Sequence, residues 1–298
     1  MEQRTHTSVH LFRKDLRLHD NPTLCACLEG GGTFYPVYIL DTAAARQGKI
    51  SANRWNFLLE SLRDLDDQLV RLGSHLFVVR GRDMDVLPKL LSEWGITRLS
   101  FESDGEPFGA QRDAVIRHIA EEAGVEVLSK TSHTLYEPAQ IIHGNQGVIP
   151  MLFKEFVRVV EENKLSEPNP VKEVDRRLVG CCVTPVAVDH QAKYGIPELS
   201  ELGVKDSRCV TSGALWRGGE QEALRRLILV EQEVSCDKRH CDMESFFKLG
   251  IPLSDLQDTM SMRDACIDYC FVQTECRHHV DFTEFKHCQF MISIFIGV

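Results

Sequence analysis

The nine residues from Arg13 to Asn21, within "LFRKDLRLHDNPTL", hold three cations, a histidine and two aspartates directly after the apolar stretch "SVHLF". Guanidinium and ammonium groups at such spacing pair with carboxylates, and Asp15 stands two positions before Arg17. Asp20 or Asn21 is placed to cap a helix that has Pro22 at its first position. The charges of Arg13, Asp15, Arg17, Asp20 and Asn21 either fasten this turn as a salt-bridged loop or present a charged surface to a second domain or a ligand.

The other concentration of reactive types comes late. Six of the eleven cysteines (Cys236, Cys241, Cys266, Cys270, Cys276 and Cys288) fall beyond residue 235. Cys236 with Cys241, and Cys266 with Cys270 ahead of a His-His pair, offer zinc-ligand types. They lack the paired, regularly spaced knuckles of structural zinc sites, so no metal is assigned. Cys25 and Cys27 lie two apart on a helix and point to different faces. No Ser-His-Asp or Cys-His constellation can be placed, and no catalytic residue is assigned. No G-x-G-x-x-G or G-x-x-x-x-G-K string follows the first strand, which excludes an ordinary dinucleotide or P-loop enzyme.

The elements that must position these groups repeat one beat. A helical pattern ends at a glycine and a β-branched or aromatic run begins at once, as at Gly73, Gly95 and Gly124. Between Asn53 and Leu72, Trp55, Leu58, Leu59, Leu62, Leu65, Leu69 and Leu72 step by three and four, one buried stripe. Strands are expected at Val9–Phe12, Phe34–Leu40, Leu76–Arg80, Arg98–Glu102 and Val125–Lys130, short and apolar on both faces. Their alternation with helices predicts an α/β fold, a doubly wound, five-stranded parallel sheet. In such sheets ligands bind beyond the carboxyl ends of the strands where the winding reverses, and the charged turn follows the first strand. Trp55 and Trp94 read as core, and His133 as a satisfied loop histidine.

From about Thr134 to Thr211 the pattern loosens into one helix begun by Pro150 and an irregular linker through "EPNP", "CCVTPVAV" and "KYGIPEL". Glu220 to Leu227 opens a further helix with an acid near its positive end. The 298 residues suffice for one large domain or two ordinary ones. A net charge of −10 makes strong DNA binding by this chain alone unexpected. The N-terminus has no apolar signal core and no run is long enough to span a bilayer, so the expected location is nucleus or cytoplasm, not secreted and not membrane-bound.

The string "FRKDLRLHDNPTL", followed in order by "YILD", "NRWNFLLESLRDLD", "LFVVRG", "DGEPFGAQRD", "GVEVLSKTSHTLYEP" and "LWRGGEQEALRRL", resembles the photolyase/cryptochrome family. The wording of "EPFG", "SHTLY" and "GGE..AL" is closest to animal cryptochromes and (6-4) photolyases. The resemblance implies an α/β, antenna-type domain over residues 6–135, an interdomain linker with one helix over 136–212, and the start of a helical FAD domain over 213–232. Residues 233–298 form an unplaced Cys-rich tail, read as an alternative exon, retained intron or assembly error.

Full-length relatives use FAD to absorb blue light, and either repair DNA lesions as lyases or regulate the circadian clock; DNA or clock proteins are the partners implied. "GVIPMLFKEF" lacks the Pro-Leu-Thr-Tyr usual in the family, and after Leu227 none of its flavin contacts follows. The chain alone is therefore expected neither to bind FAD tightly nor to repair DNA. By position in the family, Arg54, Asp104, Glu106 and Asp41 either line a deazaflavin-type antenna pocket or serve as structural ion pairs. Phe108 and Gly109 stand where folate-binding members carry Asn-Glu, which speaks against a folate antenna. A non-catalytic interaction module, competing with a full-length relative for partners, is the alternative.

Overall fold

The computed structural model describes residues 5–42, 51–165, 174–204 and 217–236. They fall into two compact units, one running to Thr134 and resuming at 174–204 and 217–222, the other holding 135–165 and the chain from Ala223.

In the first unit, β1 (His6–Phe12), β2 (Gly32–Leu40), β3 (Phe77–Arg80), β4 (Arg98–Glu102) and β5 (Glu126–Lys130) form the parallel sheet that the alternation predicts, in the order β3-β2-β1-β4-β5. Between them run α1 (Pro22–Leu28), α2 (Ala52–Arg71), α3 (Asp83–Glu93) and α4 (Pro107–Glu122). Gly73, Gly95 and Gly124 have φ of 89°, 59° and 69°, left-handed stops that other residues adopt only with strain. The α2 stripe is buried as its period requires, with Leu59, Leu62, Leu65 and Leu69 fully inside. Each such side chain contributes roughly 1.5–3 kcal/mol.

The first strand begins at His6, three residues ahead of the apolar run. His6, Thr7 and Ser8 pair with Gly32, Thr33 and Phe34, so the backbone ladder decides the start rather than side-chain apolarity. The central β1 lies between β2 and β4, and there the winding direction reverses. The charged turn leaves the sheet at that reversal.

The stretch expected as irregular carries α7 (Arg176–Gly180), a two-residue β6 (Cys182–Val183) and α8 (His190–Tyr194). The short β3 pairs only Val37–Leu40 of β2, and β6 takes Gly32 and Thr33. A backbone ladder of two residues leaves almost no side-chain pattern to read.

In the second unit, α5 (Pro138–Gly144) and α6 (Phe153–Glu162) are regular. Pro150 does not open a helix as the sequence suggests. Leu152 is the N-cap, and the Glu155 carboxylate reaches back to accept the Met151 amide at 3.2 Å. A final helix, α9 (Glu220–Cys236), runs well beyond Leu227. Among the described residues no helix is long and apolar enough to cross a membrane.

Candidate functional site

Beyond Phe12 the chain must leave a sheet covered on both sides, and it does so by burying charge. Asp15 and Arg17 are 0% and 1% exposed. Arg17 donates from Nη2 to Ser132 Oγ at 2.9 Å and lies 3.3 Å from Glu102 Oε1, at the end of β4. Ser132 in turn donates to Glu102. Asp15 accepts the Arg13 amide at 2.9 Å and the Asn21 side-chain amide at 3.1 Å. Asn21, rather than Asp20, caps α1 by accepting the Leu24 amide, and Asp20 supplies the turn with a φ of 47°. His10 Nε2 stands 3.4 Å from Asp15, close enough to act on it by both hydrogen bonding and charge.

The two buried acids part company. Burial works to raise the Asp15 carboxyl, but His10 and Arg17 beside it hold it well below the usual carboxylate range. Burial and the Asp15 charge push Glu102 up to about 7, against the pull of Arg17. His133 Nδ1 lies 3.8 Å from Glu102, and burial lowers its titration. Two carboxylates around one guanidinium cannot both stay ionised at no cost, and of the two it is Glu102 whose titration is raised.

Above this cluster opens a cavity of about 610 Å³ at the carboxyl ends of β1, β2, β3 and β4. Apolar walls come from Phe12, Tyr38, Trp55 and Phe108; polar groups come from Lys14, Asp41, Arg54, Asp83, Asp104 and Arg112. Its volume and mixed lining suit a single planar heterocycle. Burial pushes the Tyr38 phenol up to about 12, so it stays a neutral donor. Trp55 is 4% exposed, and its indole N–H has no hydrogen-bond partner among the described residues.

Three of the four residues placed in a pocket by resemblance, Arg54, Asp104 and Asp41, line this cavity together. Glu106 does not. It precedes α4, is largely exposed, and pairs with Lys14 at 3.0 Å. Asp104 is positioned rather than free: it accepts Lys14 at 3.0 Å and the Glu106 amide at 3.0 Å, while its own amide donates to Asp113. Burial opposes ionisation of Asp104, but the Glu106 amide and Lys14 leave it lowered on balance. Asp113, which also takes the Arg13 guanidinium, was missed as a functional residue, although its place on the buried face of α4 with Gly109, Ile116 and Ala120 was a usable signal.

Gly109 lets Asp104 sit there, since a Cβ at that position would come within 2.5 Å of the Asp104 Cβ and closer to its carboxyl carbon. Gly109→Ala is expected to push Asp104 off Lys14 and to lower stability by about 1–2 kcal/mol, read by urea denaturation. An unchanged midpoint would show that Asp104 has room to move.

Cys236 ends α9, and the other tail cysteines lie outside the described residues. Among the described residues no group of three or more His, Cys, Asp or Glu is placed to hold a metal.

The DNA photolyase family model matches residues 8–174. Mouse (Mus musculus) cryptochrome-1 is 49% identical over 220 residues, covering 74% of this chain and 36% of its own length. Chicken (Gallus gallus) cryptochrome-2 is 46% identical over 220 residues, 74% of this chain and 37% of its own. The chain thus spans little more than a third of these curated relatives. Among solved structures, a class III photolyase from Agrobacterium tumefaciens matches with a TM-score of 0.56 and 27% identity, covering 75% of this chain and 44% of its own. An archaeal photolyase from Sulfolobus tokodaii, described with two FAD molecules that imply a novel light-harvesting cofactor, has a TM-score of 0.56 and 24% identity, covering 73% of this chain and 45% of its own. At that identity it shows the fold alone.

Proposed function

The chain belongs to the DNA photolyase family, and on that premise we propose that it supplies the α/β module of a blue-light flavoprotein of the cryptochrome kind, with the cavity as its own binding site. The observation that carries the reading is a cavity whose wall brings Arg54, Asp41 and Asp104 together with the apolar surfaces of Phe12, Tyr38 and Trp55. The guest that fits is a deazaflavin-type planar heterocycle. Asp41 and Asp104 would meet a ring N–H or ribityl hydroxyl, and Arg54 would clamp or stack on the ring. When bound, such a group supplies absorption of blue light. The protein's part is to orient it and exclude water, which the walls of Phe12, Tyr38 and Trp55 do.

The FAD of the whole protein, its action on DNA or clock proteins, and its nuclear or cytoplasmic location belong to the same proposal. This chain alone is proposed to hold no FAD tightly and to repair no DNA, and a stoichiometric blue flavin absorbance band after purification would contradict that. A specific observation favours a second reading. Phe108 is 80% exposed and Met84 58% exposed at the cavity rim, an apolar lip suited to a partner's side chain. On that reading the chain is an interaction module competing with longer relatives.

Titration of the purified chain with deazariboflavin, followed by fluorescence polarisation, separates the two. The first reading expects saturable binding at roughly micromolar Kd, weakened about tenfold by Arg54→Ala or Asp104→Ala. No saturation, with retention of nuclear-extract proteins that Phe108→Asp abolishes, would favour the second.

A further inference from the structure

The turn and the helix that wall the cavity have a second occupant. Later in the first unit, after α8, Gly218–Gln221 docks between this turn and α2. Glu220, 1% exposed, accepts the Leu18 and His19 amides at 2.9 and 2.7 Å. From the other side, α2 accepts the segment's own amides: Glu60 takes Gly218 at 2.9 Å and Asp64 takes Gln221 at 3.1 Å. Gly218 is held so close that a Cβ would come within 2.1 Å of the Phe57 carbonyl oxygen, and the φ of Gly219 is 120°. Gln221 and Gln68 close the contact at 3.0 Å. The charge near the helix start, read from sequence as a dipole effect, is here a side chain plugged into the first turn.

Both elements that grip this segment also wall the cavity. The turn carries Lys14 in the wall and the Leu18 and His19 amides on Glu220; α2 carries Arg54 and Trp55 in the wall and Glu60 and Asp64 on the segment. Neither element is soft. The turn is pinned by Asp15, Arg17 and Asn21, and α2 by Leu59 and Leu62. A guest that orders the cavity wall therefore orders the grip.

We propose that occupancy of the cavity and docking of Gly218–Gln221 are coupled, with Glu220 as the positioning residue that links them; this rests on the cavity being a binding site. Coupling between sites is reciprocal, so a guest holds the start of α9 more firmly, and a loosened Glu220 weakens the guest.

Amide hydrogen exchange on the full chain tests this, with deazariboflavin as the probe. Guest at saturation is expected to slow exchange of the Leu18 and His19 amides about fivefold or more. Glu220→Gln is expected to abolish that slowing and to raise the guest Kd by a similar factor, while the amides of Leu99 and Phe101 in β4 stay protected as in the unaltered chain. Asp64→Asn, acting on the opposite side of the segment, is expected to repeat the result and stands in should Glu220→Gln lose β4 protection. Binding of equal affinity in all three proteins, with Leu18 and His19 indifferent to the guest, would overturn the coupling and leave the binding reading intact. Absence of guest binding to the unaltered chain would sink both.

Discussion

Arg17→Met is expected to lower the stability of the chain by about 3–5 kcal/mol, the largest single effect in the α/β unit. Arg17 is 1% exposed and donates to Ser132 at 2.9 Å beside Glu102. Methionine fills most of the volume, so the loss is one of charge and hydrogen bonds rather than of packing. The two acids it leaves behind respond differently. Glu102 already titrates at about 7 and relieves itself by holding its proton. Asp15, fully buried and kept ionised by His10 and Arg17, has no such escape and bears most of the penalty.

Urea denaturation at neutral pH measures the difference. Arg17→Lys is expected to recover only part of the loss, because a single ammonium cannot reproduce the planar donor geometry. A methionine variant within about 1 kcal/mol of the unaltered chain would mean that the ion cluster contributes specificity of fold and not stability. Against a total domain stability of roughly 5–15 kcal/mol, the expected loss decides whether the chain folds at body temperature.

What could be read in the sequence, and what could not, follows the range of the interactions. Helix stops at Gly73, Gly95 and Gly124, the leucine stripe of α2 and the five strands are local patterns, and all were legible. The place of the charged turn at the winding reversal was legible too, because in a doubly wound sheet the reversal usually falls after the first strand. The partners of those charges were not. Arg17 meets Glu102 85 positions later and Ser132 115 positions later, and Glu220 meets Leu18 across 202 positions. No spacing rule connects such pairs.

Of the two readings the opening charges allowed, Asp15 and Arg17 follow the salt-bridged loop and turn inward, while the neighbouring Leu18 and His19 amides receive Glu220. Residues with two duties were half legible. Trp55 sits on the core stripe as its period demands, but nothing in its position announced that its N–H would be left unmet beside a cavity. Glu106 was carried into the pocket by resemblance; in the fold it is largely exposed, pairs with Lys14 and does not line the cavity.

The buried acid Glu102 leads to the second large expectation, a stability that falls as pH rises through neutrality. Its titration in the folded chain lies at about 7, against roughly 4.3 for an unperturbed glutamate. The folded state therefore binds this proton more tightly than the unfolded state. Its contribution is complete below the ordinary glutamate range, declines as pH rises, and is gone above about 7. The decline amounts to roughly 3–4 kcal/mol.

Other groups titrate in or near the same window. His133 and His190, both lowered by burial, slope the opposite way, while Asp64 and Glu220, both raised by burial, slope the same way. Asp15, being lowered, contributes only at the acid end. Subtracting the profile of Glu102→Gln from that of the unaltered chain removes the groups remote from Glu102, and Asp15, which is linked to it, titrates well below the window. The amide keeps the size of the side chain and an oxygen for Arg17 and Ser132, but carries no charge to ionise beside Asp15.

The variant is expected to lose the falling slope between about pH 5 and 7 and to be more stable than the unaltered chain at pH 8, by roughly 1–2 kcal/mol. Parallel profiles for the two proteins would place the Glu102 titration back in the ordinary range, and Arg17 would then be balancing two ionised acids at once. In that case the Arg17→Met penalty should exceed 5 kcal/mol, because neither acid could escape by holding a proton.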